Sequence, residues 1–177
     1  MNIIVDVESD GPCPGKEMYS MVCFGAAAIT KDKEIVSFLS LPLLPISENW
    51  IPEALAISGY SREFLLKNGA DPSDEMIKFH KWLKDFNAKR LVFYSDNNGY
   101  DWQFINYYFH RYLSTNPFGF SSQNIGSLYK GVVKDCFASF KHLRKTKHDH
   151  NPANDARGNA EALIKIFDSF KVNTSYK

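Results

Sequence analysis

Two carboxylates, Asp6 and Glu8, end a short apolar run at the start of the chain and precede a Ser-Asp-Gly turn. An apolar, β-branched run without helical periodicity predicts a buried strand. On a strand the two side chains share one face, roughly 6.6 to 6.8 Å apart along the strand. Like charges so placed repel each other unless a cation lies between them, and hard oxygen ligands suit Mg²⁺ or Mn²⁺. The same spacing recurs at Asp32 and Glu34 in a solvated turn, so spacing alone proves nothing. The apolar strand before the first pair and the glycine turn after it favour a metal site there, and on that basis a metal site and a chance pair are equally supported.

Three further polar residues stand near the starts of predicted helices. Asp101 follows the fourth predicted strand, and His150 and Asp155 flank the N-terminus of the last helix. His80 and Asp85 repeat the His-x4-Asp spacing inside another helix, where a solvated helix face explains them. His150 instead directly precedes a capped helix N-terminus, so the later pair joins the candidate site.

The hydrophobic pattern predicts the elements that position these side chains. Strands are predicted at the first apolar run and over residues 18–29, 34–41 and 91–94. Helices are predicted near residues 52–58, over 72–86, from 100, over 125–140 and over 152–170, and residues 116–122 form a loop. Asp71 and Asn151 are N-caps, each followed by a proline at N1. The first three strands suggest an antiparallel meander, and the whole order fits an α/β fold in which helices cover a mixed sheet.

Composition limits the class of protein. The 177 residues suffice for one domain with a substantial core, and aromatic residues make up 15% of them. The formal net charge of +1 argues against a general nucleic-acid coat but allows a local basic patch. The three cysteines form no CxxC pair, and acids interrupt the apolar start, which argues against a signal peptide or membrane span. We expect a cytoplasmic protein with free thiols and no membrane partner.

Taken in order along the chain, the candidate motifs resemble those of a known family. They are Asp6-x-Glu8 with Ser9-Asp10-Gly11, then Gly99-Tyr100-Asp101, then His150-x4-Asp155-Ala156. A weaker segment, Ala54 to Ser61, looks like the "hGIT" segment of the same family. The chain resembles the DEDDh exonucleases of the RNase T / DnaQ-like superfamily, and is most similar to stand-alone bacterial and phage 3'-5' exoribonucleases.

The resemblance implies an RNase H-like fold, in which a five-stranded mixed sheet is flanked by helices and residues 1–177 form a single exonuclease domain. Only four strands are predicted from the pattern. We therefore expect the fifth within residues 120–127 or inside an overpredicted helix.

The resemblance also implies a reaction. Two divalent cations, Mg²⁺ or Mn²⁺, would stabilise the attacking and leaving oxygens at phosphorus. By resemblance Asp6 bridges both ions, Glu8 and Asp155 hold the ion that carries the attacking water, and Asp101 supports the other. His150 would take the proton from that water, because its usual pKa lets it act as a base at neutral pH.

The implied substrate is single-stranded RNA with a free 3' end, released as nucleoside 5'-monophosphates. A 3'-5' exodeoxyribonuclease acting on single-stranded DNA in repair or proofreading is the alternative within the class. A non-catalytic nucleic-acid-binding module would be indicated by a missing acid, and none is missing here. Relatives such as RNase T are dimers, and the aromatic surplus allows a homodimer.

Several residues are candidates for substrate contacts. The basic run Lys141, Arg144, Lys145 and Lys147 leads into the site, and contact with phosphates and a solvated face are equally supported. Within it we select Lys145 and Lys147. The other candidates, for contact with the terminal nucleotide, are Ser9, Met18, Tyr19 and Tyr60.

Three nearby residues have competing interpretations. We expect Asp96 to cap a helix, with an outer-sphere metal contact as the alternative, and Asp10 to act as a turn residue. His148 lies two residues before His150 and is a second candidate base. Its spacing to the third acid favours His150.

Overall fold

A computed structural model gives the fold and describes residues 1–173. The last four residues of the expected domain, 174–177, lie outside the described residues. The strands are β1 (Asn2–Ser9), β2 (Met21–Ile29), β3 (Ile35–Leu39), β4 (Val92–Ser95) and β5 (Ser122–Asn124). The helices are α1 (Pro52–Ile57), α2 (Arg62–Asn68), α3 (Pro72–Asp85), α4 (Asn98–Leu113), α5 (Ile125–Val133) and α6 (Pro152–Ser169), with a 3₁₀ turn at Lys141–Leu143.

The five strands form one mixed sheet in the order β3-β2-β1-β4-β5. The first three strands pair antiparallel, as the predicted meander requires. Strand β4 pairs parallel to β1, and β5 pairs parallel to β4. The expected five-stranded mixed sheet is confirmed, and its short fifth strand lies within residues 120–127.

Each face of the sheet is covered by its own helices. Ile3, Val5 and Val7 point into a core that includes side chains of α3 and α4, whereas Ile4 points into the core formed with α5 and α6. Because strand side chains alternate between faces, the even-numbered positions of β1 face α6. The two acids of β1 are therefore directed toward the helix that carries Asp155.

Strand β2 allows α6 to approach the sheet closely. All nine of its residues are buried, and five consecutive positions from Gly25 to Ile29 include one glycine and three alanines. A Cβ atom at Gly25 would lie 2.2 Å from the backbone nitrogen of Ala153, at the first turn of α6. The missing side chain lets α6 begin against the sheet.

Two predicted boundaries were wrong in the first half of the chain. The second strand begins at Met21 instead of residue 18, because Met18 lies in the turn before it and is 45% exposed. The third strand ends at Leu39 instead of residue 41. In addition, helix α2 was not predicted; the Ser61 hydroxyl accepts a hydrogen bond from the Phe64 N–H and caps it.

The predicted helix over residues 125–140 was too long. Helix α5 ends at Val133, where Lys134 adopts a left-handed conformation with φ of 60°. Phe137 continues the apolar period but is 96% exposed, so the period does not describe a buried helix face there. Phe140 is buried, and it joins the core from the turn that follows.

The remaining expectations concern thiols and membranes. Cys13, Cys23 and Cys136 are all free, as predicted. Among the described residues, no helix has the length and apolar character needed to cross a bilayer.

Candidate active site

Three of the predicted acids meet between the sheet and α6. Oxygen atoms of Asp6, Glu8 and Asp155 all lie within 4.8 Å of one another. Asp155 is in the first turn of α6, which is fixed by Asn151, whose side chain accepts hydrogen bonds from the N–H groups of Ala153 and Asn154. The cap predicted from the sequence therefore sets the position of the acid one turn later.

Asp101 reaches the same site from the first turn of α4, which follows β4, the other neighbour of β1 in the sheet. Pairing between β1 and β4 ends at Ile4, so the backbone of β1 continues beyond its neighbour. The Val7 N–H in this continuation donates to Asp101 Oδ1 at 3.1 Å. The first turn of α4 thus occupies the free edge of β1 and places a buried carboxyl beside it.

Burial, together with the neighbouring acids, raises the pKa values of two of these carboxyl groups. Burial, and next the charges of Asp101, Asp155 and Glu8, raise the pKa of Asp6 well above its usual value. Burial raises the pKa of Asp101 to about 8, against the lowering effect of its hydrogen bonds to Ser95 and Val7. Clustered carboxylates with raised pKa values are stabilised in their ionised form by bound cations.

The donor set fits divalent metal ions. Both oxygens of Asp155 are buried and accept no well-aligned hydrogen bond from the described residues, although His148 Nδ1 lies 2.7 Å from Oδ1. A buried carboxylate with so few donors is costly, and coordination of a cation removes that cost. Oxygen ligands of this kind match the preference of Mg²⁺ and Mn²⁺.

Both candidate histidines lie at this site. His150 Nδ1 is 3.6 Å from Glu8 Oε1, and His148 Nδ1 is 2.7 Å from Asp155 Oδ1. The two rings are 4.3 Å apart at their centroids and meet edge to face. His150 adopts a left-handed backbone conformation with φ of 59°. The sequence spacing favoured His150 over His148, whereas the fold places both histidines beside the acids.

The candidate contacts to the terminal nucleotide have different environments. Ser9 is buried; its hydroxyl lies 2.5 Å from the Tyr100 hydroxyl and donates to the carbonyl of Gly11. Tyr100 was not selected from the sequence, although it directly precedes Asp101. Burial raises the pKa of Tyr100 to about 12, so its hydroxyl stays protonated and able to donate.

Tyr60, Tyr19 and Met18 are accessible to different degrees. Tyr60 is half-buried, stacks on Phe64 with ring centroids 5.5 Å apart and packs against a core cluster that contains Cys23. Cys23 is the β2 partner of Glu8 in the sheet, so Tyr60 lies near the acids. Tyr19 packs over Gly11, and Met18 is exposed.

The basic run divides into buried and exposed members. The side chains of Lys145 and Lys147 are exposed. The Arg144 side chain is only 9% exposed and pairs with Asp96 at 3.2 Å. Lys141 lies 3.3 Å from the same carboxylate but is largely exposed. The expectation that Asp96 caps α4 was wrong, because Asn97 is the N-cap residue. Asp96 instead forms ion pairs with the side chains of Arg144 and Lys141.

Asp10 has a structural role that its turn position did not reveal. It is fully buried and pairs with Arg62 at 2.8 Å, and it accepts a hydrogen bond from the Ser20 N–H. Burial raises the pKa of Asp10, although Ser20 and Arg62 act to lower it. The pair joins the residue after β1 to the start of α2.

Comparison with known proteins identifies relatives of this chain and structures that share its fold. No protein-family model matches the chain. The chain is 40% identical over 179 residues to the Escherichia coli protein "3'-5' DNA exonuclease Cap18", and the match covers 94% of this chain and 90% of that protein.

Solved structures share the fold at low sequence identity. The nuclease domain of 3'hExo, a DEDDh family member bound to rAMP, superposes with a TM-score of 0.73 at 15% identity, covering 99% of this chain and 96% of that one. The cell-death related nuclease CRN-4 superposes with a TM-score of 0.72 at 12% identity, and this chain spans 63% of it. The expected RNase H-like fold is confirmed.

Identity of 40% over nearly the full length of both chains shows the family. The chain belongs to the 3'-5' exonucleases. It shares its fold with 3'hExo, which is a DEDDh family member, and its four acids and His150 follow the order of the DEDDh motifs that the sequence resembles.

Proposed function

We propose that Asp6, Glu8, Asp101 and Asp155 hold two divalent cations, Mg²⁺ or Mn²⁺, and that the enzyme removes nucleotides from the 3' end of a single strand. The observation that carries this proposal is the meeting of three carboxylates, Asp6, Glu8 and Asp155, within 4.8 Å of one another. When bound, two such cations stabilise the attacking and leaving oxygens of an in-line displacement at phosphorus.

His150 is the proposed general base. Its ring lies beside Glu8 and is half exposed, so water reaches it from solvent. A neutral imidazole can accept a proton from the attacking water. Glu8, which is 3.6 Å from the His150 ring, stabilises the imidazolium that results. Cleavage of the bond between phosphorus and the 3' oxygen of the preceding nucleotide then releases a nucleoside 5'-monophosphate.

His148 is the alternative base, favoured by its shorter distance of 2.7 Å to a carboxylate. We assign it the lesser role because its closest acid is Asp155, whose oxygens are proposed metal ligands. A ring that contacts a ligand oxygen orients that ligand, whereas a base must reach the water.

For the substrate we propose single-stranded DNA. The support is the Cap18 relative, which is named as a DNA exonuclease and matches nearly the full chain. RNA, the substrate expected from the sequence, stays a prediction supported by the bound rAMP in the 3'hExo nuclease domain. An RNA enzyme would need contacts that recognise the 2'-hydroxyl of the terminal nucleotide.

The remaining assignments concern residues that contact the substrate, proposed from their positions near the acids, and the homodimer. Tyr60 and Met18 offer exposed apolar surface near the start of β2 for stacking on the terminal base. Lys145 and Lys147 are exposed next to the histidines and are proposed to meet phosphates. Ser9 would act through its backbone or through Tyr100, since its own hydroxyl is already bonded. The homodimer stays a prediction that analytical ultracentrifugation tests.

The proposal is tested with matched 5'-labelled single-stranded DNA and RNA oligomers, each digested with Mg²⁺, with Mn²⁺ and with excess chelator. We expect a ladder that shortens from the 3' end, is abolished by chelator and forms faster on DNA. Asp6→Asn, which removes one proposed ligand charge, should give no ladder while the protein stays folded. Faster digestion of RNA would select the exoribonuclease, and a fully active Asp6→Asn enzyme would refute the metal assignment.

A further inference from the structure

The segment that delivers the histidines, residues 144–150, is here called the histidine loop. It connects the 3₁₀ turn to α6 and has no regular secondary structure of its own. His148 and His150 near its end are both half exposed. A loop that carries a proton acceptor must be fixed by contacts elsewhere, because small displacements of a reacting group are costly.

One end of the loop is fixed by a buried cation. Arg144 donates from one guanidinium nitrogen to Asp96 at 3.2 Å and to Asn159 at 2.5 Å. Its guanidinium also lies over the Phe140 ring at 5.6 Å. Asp96 directly follows β4, and Asn159 is one helical turn beyond Asp155 on α6. Arg144 therefore joins the loop to the sheet and to the helix that both bear site acids.

A second set of contacts follows immediately. The backbone N–H groups of Lys145 and Thr146 donate to Glu161 at 2.8 and 2.7 Å. Gly158 allows this approach, since a Cβ there would lie 2.8 Å from the Thr146 carbonyl oxygen. The loop thus lies directly on α6 as far as Thr146, and only its last residues extend toward the acids.

The charge of Arg144 also reaches the site. Among the groups that act on Asp6, Arg144 lowers the pKa of that carboxyl, against burial and the neighbouring acids. However, the guanidinium is buried, and one of its nitrogens donates to both Asp96 and Asn159. These contacts are those of an internal anchor, in contrast to the exposed Lys145 and Lys147 of the same run.

We propose that Arg144 is a positioning residue for the reaction: by bridging Asp96 and Asn159, it holds the histidine loop so that His150 lies beside Glu8. This inference rests on the proposed role of His150. It also gives Asp96 a function as the acceptor that orients Arg144. A lysine cannot replace the arginine fully, because an ammonium lacks the planar guanidinium that lies over the Phe140 ring while it donates to Asp96 and Asn159.

The test measures kcat and KM on labelled single-stranded DNA for Arg144→Ala, Arg144→Lys, Asp96→Ala and the double alanine variant. We expect Arg144→Ala to lower kcat about 10- to 100-fold with far less change in KM. The double variant should lose no more than Arg144→Ala, because both changes remove the same interaction. Arg144→Lys should recover only part of kcat. Lys33→Ala removes an exposed ion pair with Asp168 and serves as the control.

Hydrogen–deuterium exchange provides a readout that does not require activity. Arg144→Ala and Asp96→Ala should both raise exchange in residues 144–150 while β1 and β2 stay protected. A raised KM with unchanged kcat would overturn the inference by making Arg144 a substrate contact. Full rescue by lysine, or unchanged loop exchange, would also overturn it. If the wild-type enzyme hydrolyses no substrate, the proposed function is refuted instead. The exchange data would then still show whether Arg144 holds the histidine loop in place.

Discussion

Asp6 on β1 is paired in register with Gly25 on β2, and the space above Gly25 is filled by the first turn of α6. One residue pair thus combines a proposed metal ligand with the point of closest approach of the helix that carries Asp155. The distance between the acids of the sheet and the acid of the helix is set at this pair.

Gly25→Ala should therefore separate α6 from the acids of the sheet. The added Cβ would lie 2.2 Å from the Ala153 nitrogen and 2.3 Å from the Pro152 carbonyl carbon, and backbone atoms must shift to accept it. We expect a loss of about 100-fold in kcat/KM, as for a displacement of about 1 Å, and a loss of about 1 to 3 kcal/mol in the free energy of unfolding.

Gly131→Ala is the matched control for this change. Gly131 lies in α5, and a Cβ there would meet nothing within 4 Å. It should leave activity unchanged and stabilise the helix slightly, since alanine is the better helix former. Equal activities for the two alanine variants, measured with the same oligomer, would show that α6 tolerates displacement.

The two histidines should separate in their effects. His150→Ala is expected to lower kcat about 10²- to 10⁴-fold, the usual contribution of a general base, while Mn²⁺ affinity measured by calorimetry stays near that of the wild type. His148→Ala should lower kcat less. If His148→Ala has the larger effect on kcat, the base has been assigned to the wrong ring, and a large loss of Mn²⁺ affinity in His150→Ala would identify a ligand.

The exposed lysines should govern the salt dependence of substrate binding. Replacing Lys145 and Lys147 together with alanine should weaken binding of single-stranded DNA and reduce the slope of log affinity against log salt, by about 0.7 for each phosphate that is no longer neutralised. Lys81→Ala with Lys84→Ala makes the same change in net charge on α3, which covers the opposite face of the sheet. If the two double variants show the same slope of log affinity against log salt, Lys145 and Lys147 do not contact phosphates and the basic run is only a solvated face.

Metal-free protein should become less stable as the pH rises. Asp101 has a pKa of about 8 when folded, against its usual 3.8, and the pKa of Asp6 is raised as well. Between the usual pKa of 3.8 and the folded pKa of about 8, Asp101 binds a proton in the folded protein but not in the unfolded chain. The free energy of unfolding therefore falls as the pH increases through this range. In chelator, Tm should therefore fall between pH 6 and pH 8, and Mg²⁺ should restore it at pH 8.

Asp101→Asn removes that carboxyl and, with it, the charge that helps to raise the pKa of Asp6. The decrease in Tm between pH 6 and pH 8 should be smaller in Asp101→Asn than in the wild type. Equal decreases would show that Asp101 does not titrate in this window.

Much of this architecture followed from local sequence. The apolar run ending at Asp6 and Glu8 predicted β1 and the shared face of the two acids, since strand side chains alternate strictly. Asp71 and Asn151 each followed by proline predicted the starts of α3 and α6, because a cap and its helix are neighbours in the chain. The order of the acids and histidines along the chain indicated the family.

Errors arose where local pattern and burial disagree. The apolar period beyond residue 133 predicted a longer α5, but Lys134 turns the chain and leaves Phe137 in solvent. Strand β5 has three residues, Ser122–Asn124, all polar, and pairs only because β4 lies beside it. Such an element has no hydrophobic period to detect.

Contacts between distant residues were decided only by the tertiary structure. The sequence determined which side chains are acids, bases and caps, and which of them share a strand face or a helix turn. It did not determine that Asp96 binds Arg144 instead of capping α4, or that Asp10 is buried against Arg62. Those partners are 48 and 52 residues apart. Local propensity describes neighbours within a few residues, whereas packing of the whole sheet and its helices selects partners at that separation.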